Sequence, residues 1–239
     1  MKKLSLLFLI GITSSLLIGC NKPQVSYSEI DEDTFNAYYQ EDKVTAAKSG
    51  FEGVTKFYFV MNQVTPEMTY NFSRYLDTNY YYQHADGVFS GNKATDDELY
   101  IGSSTVSECN LYKVSTSDGK AIKTGEEAHN LYTEMDYNER RTVNRCIEDP
   151  MFIMKEYGFN DSTKKYYKGS DGSLKINATA NGTDGYQRNG YVIVNSQTLC
   201  VSSLKISLKH STEGNASISH RYYFGVNFAH KTPHDIGYN

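Results

Sequence analysis

The chain has 239 residues and a formal charge of −4, with 24 Lys and Arg against 28 Asp and Glu. A mildly acidic chain of this kind offers neither the basic face of a nucleic-acid binder nor a polybasic patch for anionic lipid headgroups. It holds 21 tyrosines and no tryptophan, which favours strands and amphipathic aromatic packing, and it is long enough to bury a core without metals or disulfides.

The chain opens Met1-Lys2-Lys3 and then runs largely apolar to Gly19, interrupted by Ser5, Thr13, Ser14 and Ser15. A short basic segment before an apolar run is the pattern of a secretory signal. The run is short for a permanent span, which takes about 20 apolar residues. It ends on Leu17, Ile18, Gly19 and Cys20: an aliphatic residue, a variable one, a small one and a cysteine. This box resembles the lipobox of bacterial lipoproteins. The resemblance implies a diacylglyceryl thioether on Cys20 and cleavage just before it. Residues 1–19 are then the discarded signal and Cys20 the first residue of the mature chain, anchored at the extracytoplasmic face of the cell membrane. Loss of Lys2 and Lys3 leaves 22 cations against the 28 acids. Residues 20–28 are a lipidated tether; the eight from Asn21 to Ser28 reach at most roughly 26–29 Å.

One domain is expected over residues 29–230, followed by a loose polar tail over 231–239. Ser28 with Asp31 three residues later reads as a helix start, and the pattern predicts a helix to about Lys48, stopped at Ser49-Gly50. Strands are predicted over 57–61, 68–73, 80–83, 99–106 and 110–116, with turns at Asp86-Gly87 and Asp118-Gly119. Thr124 with Glu127 reads as a capping box opening a helical region whose apolar positions include Ala128, Leu131, Met135, Val143, Cys146 and Ile147. Pro150 breaks it, and a short helix over 151–157 is closed by Gly158. Strands return over 174–178, 190–195, 198–209 and 217–229.

The expected class is α+β: a curved antiparallel sheet, half-barrel-like, with an N-terminal helix and a mid-chain helical segment on one face. This element order is similar to the LolA and LppX/LprG lipoproteins. That similarity implies a hydrophobic ligand held between sheet and helices, and it transfers no individual residue.

Motifs of catalysis are missing from the sequence: there is no G-x-S-x-G, H-E-x-x-H, P-loop or G-x-G-x-x-G. No enzyme activity, metal or cofactor is expected. With Cys20 lipidated, Cys109, Cys146 and Cys200 remain, an odd number with no zinc-like spacing, and they read as buried small hydrophobes. The candidate ligand-binding residues are His210, His220, Tyr222 and Phe224. A hairpin centred on Gly214 would put His210 opposite Ile218 and His220 opposite Leu208. The two histidines would then lie diagonally on one apolar face, roughly 7–8 Å apart between Cα atoms. Two readings follow. The chain binds a hydrophobic or amphipathic ligand, or it is a surface module for a protein or glycan, using exposed tyrosines such as Tyr80, Tyr81 and Tyr82.

Overall fold

The computed structural model describes residues 24–54, 56–76, 80–101, 109–114, 121–127 and 137–224. The lipobox, Cys20 and the C-terminal tail lie outside them. Among the described residues twelve strands form one antiparallel sheet in the order β1-β8-β9-β10-β11-β12-β2-β3-β4-β5-β6-β7. Its two edges, β1 (Tyr27–Ile30) and β7 (Ala121–Glu127), are different strands, so the sheet is open. Two meanders meet in it. One runs through β2 (Phe57–Val64), β3 (Met68–Leu76), β4 (Tyr80–Phe89), β5 (Asn92–Ile101), β6 (Cys109–Val114) and β7. The other runs through β8 (Thr163–Gly169), β9 (Ser173–Asn181), β10 (Gln187–Asn195), β11 (Val201–His210) and β12 (Gly214–Phe224). They join where β12 pairs with β2, from Ser217 opposite Val64 to Phe224 opposite Phe57.

Four helices occur among the described residues: α1 (Glu32–Asn36), α2 (Glu41–Glu52), α3 (Tyr137–Glu148) and α4 (Phe152–Glu156). The long N-terminal helix is not there. Ser28 to Ile30 pair with Lys168 to Tyr166 as an edge strand, and Asp31, not Ser28, is the cap: its carboxylate accepts from the Thr34 N–H at 2.7 Å. The chain then turns through Gln40 into α2. A pairing that joins residues some 140 positions apart leaves no local mark at Ser28, so the local capping pattern misled. The Thr124–Glu127 box is overturned for the same reason, since these residues lie in β7 opposite β6. Asp86-Gly87 is not a turn either; it sits inside β4, and Ser90 (φ 49°) and Gly91 (φ 84°) make the turn. The expected close of the last helix at Gly158 is present, with φ 85°.

Phe35, Phe51, Val143, Ile147 and Met154 from the helices share a core with Leu174, Val192, Leu204 and Ile218 from the strands. Strand side chains alternate between faces, so these strand residues mark one face of the sheet. Under α3 and α4 this core is filled. Val143, Cys146, Ile147, Met154 and Phe159 have no exposed surface at all. Arg188 ties the loop before β10 to α4: its guanidinium donates to the Tyr157 carbonyl at 2.8 Å and to the Asp184 carboxylate at 2.9 Å. The paired guanidinium holds the Asp184 carboxyl at about 2.

Candidate functional site

An apolar hollow lies among the described residues where α2 meets the end of β12 and the turn from β10 to β11. Alanines 46 and 47, Gly50 and Phe51 of α2, with Val54 just beyond it, form one wall. Ala and Gly keep that helix surface low, and a Cβ at Gly50 would meet nothing within 4 Å. Phe224, at the end of β12, forms the floor. It packs edge-on against Phe51 at 5.6 Å and tilted against Phe57 at 5.5 Å.

The third wall is the turn from β10 to β11. Asn195 closes it with its side chain, which accepts from the N–H groups of Gln197 at 2.9 Å and Thr198 at 3.0 Å. Leu199 is buried there with φ 53°, a left-handed conformation that costs a non-glycine residue about 1–2 kcal/mol. That geometry turns Gln197, Thr198 and Cys200 toward the hollow. The space is about 310 Å³, at the lower end of small-molecule sites, which run roughly 300–1,000 Å³. Aromatic and aliphatic groups line its depth, while the exposed Gln197 and Thr198 stand on its rim. Such a site can take the apolar part of a molecule and leave a polar end at the mouth. Burial raises the Cys200 thiol above its ordinary range, so it lines the pocket as a neutral group and not as a nucleophile.

Of the four residues expected to bind a ligand, Phe224 alone lies in this pocket. The hairpin register accounts for the others. His210 stands opposite Gly214, Ile206 opposite Ile218, and Leu204 opposite His220. The turn is therefore centred on Thr212, two residues earlier than expected. The two histidines end six residues apart along the ladder, roughly 20 Å at about 3.3 Å per residue. His210 caps the hairpin: its Nδ1 accepts from the Glu213 N–H at 3.1 Å, and its ring packs on Tyr186 at 4.7 Å.

His220 is 8% exposed and Tyr222 5%, within the core face beside Phe59. The Tyr222 hydroxyl is 3.3 Å from His220 Nδ1, and Nε2 has no hydrogen-bond partner. Burial lowers the His220 pKa from 6.5 to about 4, so the ring is neutral at pH 7. Among the described residues no group of three His, Cys, Asp or Glu could hold a metal ion, and no helix is long and apolar enough to cross a membrane. Cys146 and Cys200 are buried free thiols. The side chains of Cys109, Tyr80, Tyr81 and Tyr82 lie outside the described part.

The wall contributed by α2 was not anticipated. Its signal is the small-residue string Ala46-Ala47 with Gly50, within a stretch read only as the end of a helix. Compared with known proteins, the chain matches no protein-family model, and no curated protein matches it significantly.

Proposed function

We propose that this protein is a lipoprotein held at the extracytoplasmic face of the cell membrane through Cys20, and that its domain binds an amphipathic ligand in the pocket between α2 and β12. The supporting observation is the pocket itself: an apolar depth made by Phe51, Val54 and Phe224 beneath a polar rim of Gln197 and Thr198. The sheet, on this reading, is curved like a half-barrel. Its ligand sits against the end of the sheet and not beneath α3, where the core is filled.

Six residues, Asn21 to Ser26, separate Cys20 from β1. Cys20 therefore stands at most roughly 25 Å from the first strand, and the pocket works near the bilayer from which an apolar molecule would come. Two acyl chains give the anchor its strength, since each buried CH2 contributes about 0.8 kcal/mol.

The test has two parts. Cys20→Ser should move the protein from the membrane fraction to the soluble one and abolish incorporation of labelled fatty acid. Organic extracts of purified soluble protein should contain one reproducible amphipathic species, and extracts of Gly50→Leu should lack it. A protein that is empty in every preparation, and that takes up no fluorescent fatty acid, rules out the ligand reading.

A further inference from the structure

The face of the sheet opposite the helices has a chemistry of its own. Strand registers place Asn177, Tyr191, Lys205, Ser219, Asn62 and Asn71 side by side in a single row across six strands, β9 to β3. At about 4.8 Å between strands the row spans roughly 24 Å. Lys165 extends it at one end and Asp86 at the other. At its β2–β4 end the amides are linked in a chain: Asn62 Nδ2 donates to Asn71 Oδ1 at 2.6 Å, and Asn71 Nδ2 to Asp86 Oδ2 at 2.9 Å. Over β9 to β11 the surface is hollowed into a groove of about 420 Å³, whose lining includes Lys175, Asn177, Asn189, Tyr191 and Lys205.

The charge on this face is one-sided. From β8 to β2 its strand positions carry Lys165, Lys175, Lys205, Lys209 and Arg221 and no Asp or Glu, in a chain that is acidic overall. Glu29 on the edge strand answers only Lys165, at 3.8 Å. The Lys175 ammonium is held in the groove between two rings, 5.0 Å from Tyr27 and 4.7 Å from Tyr191, so it is positioned before any ligand arrives.

We infer that this row is a binding track for an extended polysaccharide bearing carboxylate groups. Side-chain amides both donate and accept, which matches the hydroxyls of a sugar chain. Lys175 and Lys205 stand apart among neutral polar groups, a spacing suited to carboxylates at intervals along a polymer. A nucleic acid or polyphosphate would call for a denser set of cations. Anionic lipid would call for apolar side chains set around the cations; the groove lining offers none larger than Ala178 apart from Tyr191, and the exposed Val64 and Tyr223 of this face lie outside that lining. Asp86 closes the far end by repelling further carboxylate. The track lies on the other side of the sheet from the α2–β12 pocket and does not depend on it.

The experiment is affinity electrophoresis and calorimetry of the full chain in mild detergent. The probes are polygalacturonate, alginate and hyaluronate, with dextran as neutral control and polyglutamate and double-stranded DNA as polyanions without uronate. At least one uronate polymer should bind about tenfold tighter than any control. Combining Lys175→Gln with Lys205→Gln should weaken it by about tenfold, because two charge-assisted hydrogen bonds go, while the thermal midpoint stays put. Asn177→Ala alone should weaken it less. Failure of all three uronates to bind at millimolar concentration overturns the inference. So does equal binding of polyglutamate or DNA, which would mark a plain cationic patch, and so does unchanged uronate binding by the double variant.

Discussion

Two rows of side chains cross the same six strands, offset by one residue and facing opposite ways. The inner row is Ile176, Val192, Leu204, His220, Met61 and Phe72; the outer row is their chain neighbours Asn177, Tyr191, Lys205, Ser219, Asn62 and Asn71. Both rows are carried by the same strand ladders, in which hydrogen-bonded and non-hydrogen-bonded pairs alternate. The difference in fate comes from the side chains alone: the inner row excludes water beneath the helices, and the outer row keeps it. Stability should therefore reside in one row and recognition in the other, although adjacent residues separate them.

The largest expected break is at Leu204, 1% exposed. Leu204→Ala should lower the unfolding free energy by about 2–5 kcal/mol, the range for removing a buried leucine without refilling its space. Chemical denaturation with an unchanged m-value is the measurement. A loss under about 1 kcal/mol would mean that the helices do not hold that face closed.

His220 is the one ionisable group in the inner row, and it gives that row a pH dependence. Folded, it takes a proton only near pH 4, against 6.5 for the ordinary group. Between those values the unfolded chain binds more protons, so stability falls as pH falls. The loss begins near pH 6.5 and is complete below about 4, where it amounts to something on the order of 3 kcal/mol. Replacing the ring with an apolar one, His220→Phe, should flatten the stability profile between pH 6.5 and 5, a window above the ordinary carboxylate range. An unchanged slope would show that other groups carry it.

The C-terminal meander was legible in the sequence because its alternation is strong: the faces of β11 and β12 are those expected. The register between them was not. Gly214 drew the turn onto itself, while in the fold it pairs with His210 as a strand residue at φ 84° and the tighter turn lies before it. Moving the turn centre by two shifts the register by four residues, and an even shift preserves which side chains face the core, so the hydrophobic pattern cannot detect it. It does separate His210 from His220, and the two-histidine site disappears with it. Edge strand β1 was missed because its residues carry a capping pattern, and strand β8 because Lys164, Lys165 and Lys168 dilute its apolar signal, as befits a strand near a sheet edge. The outer row was invisible for a different reason. Its members come from strands scattered over more than 100 residues, and only the pairing order brings them into line.

A milder probe of the comparison lies where helix meets sheet. Gly50 is a helical glycine with open space where its side chain would stand. Gly50→Ala should raise stability by up to about 1 kcal/mol, since glycine is that much poorer than alanine within a helix. The larger Gly50→Leu should retain most of that gain while filling the hollow above Phe51 and Phe224. A variant that is more stable and binds less fluorescent fatty acid would separate the pocket from the packed core beside it. One that is destabilised would mean that α2 already lies too close to the sheet to leave a pocket.

The smallest effect is expected one residue away from the largest. Lys205 is exposed, and its row holds no carboxylate between Lys165 and Asn71. Lys205→Gln removes a charge from an open surface and disturbs no packing, so the unfolding free energy should move by less than about 0.5 kcal/mol. If Leu204→Ala and Lys205→Gln are combined, the changes should add, because the two side chains lie on opposite faces and share no partner. The measurement that matters is the deviation from that sum. Additivity would establish that the outer row can be altered for recognition without cost to the fold. A coupling of 1 kcal/mol or more, on the scale found between residues in contact, would show the two faces to be one energetic unit, and the division of labour drawn from the registers would fail.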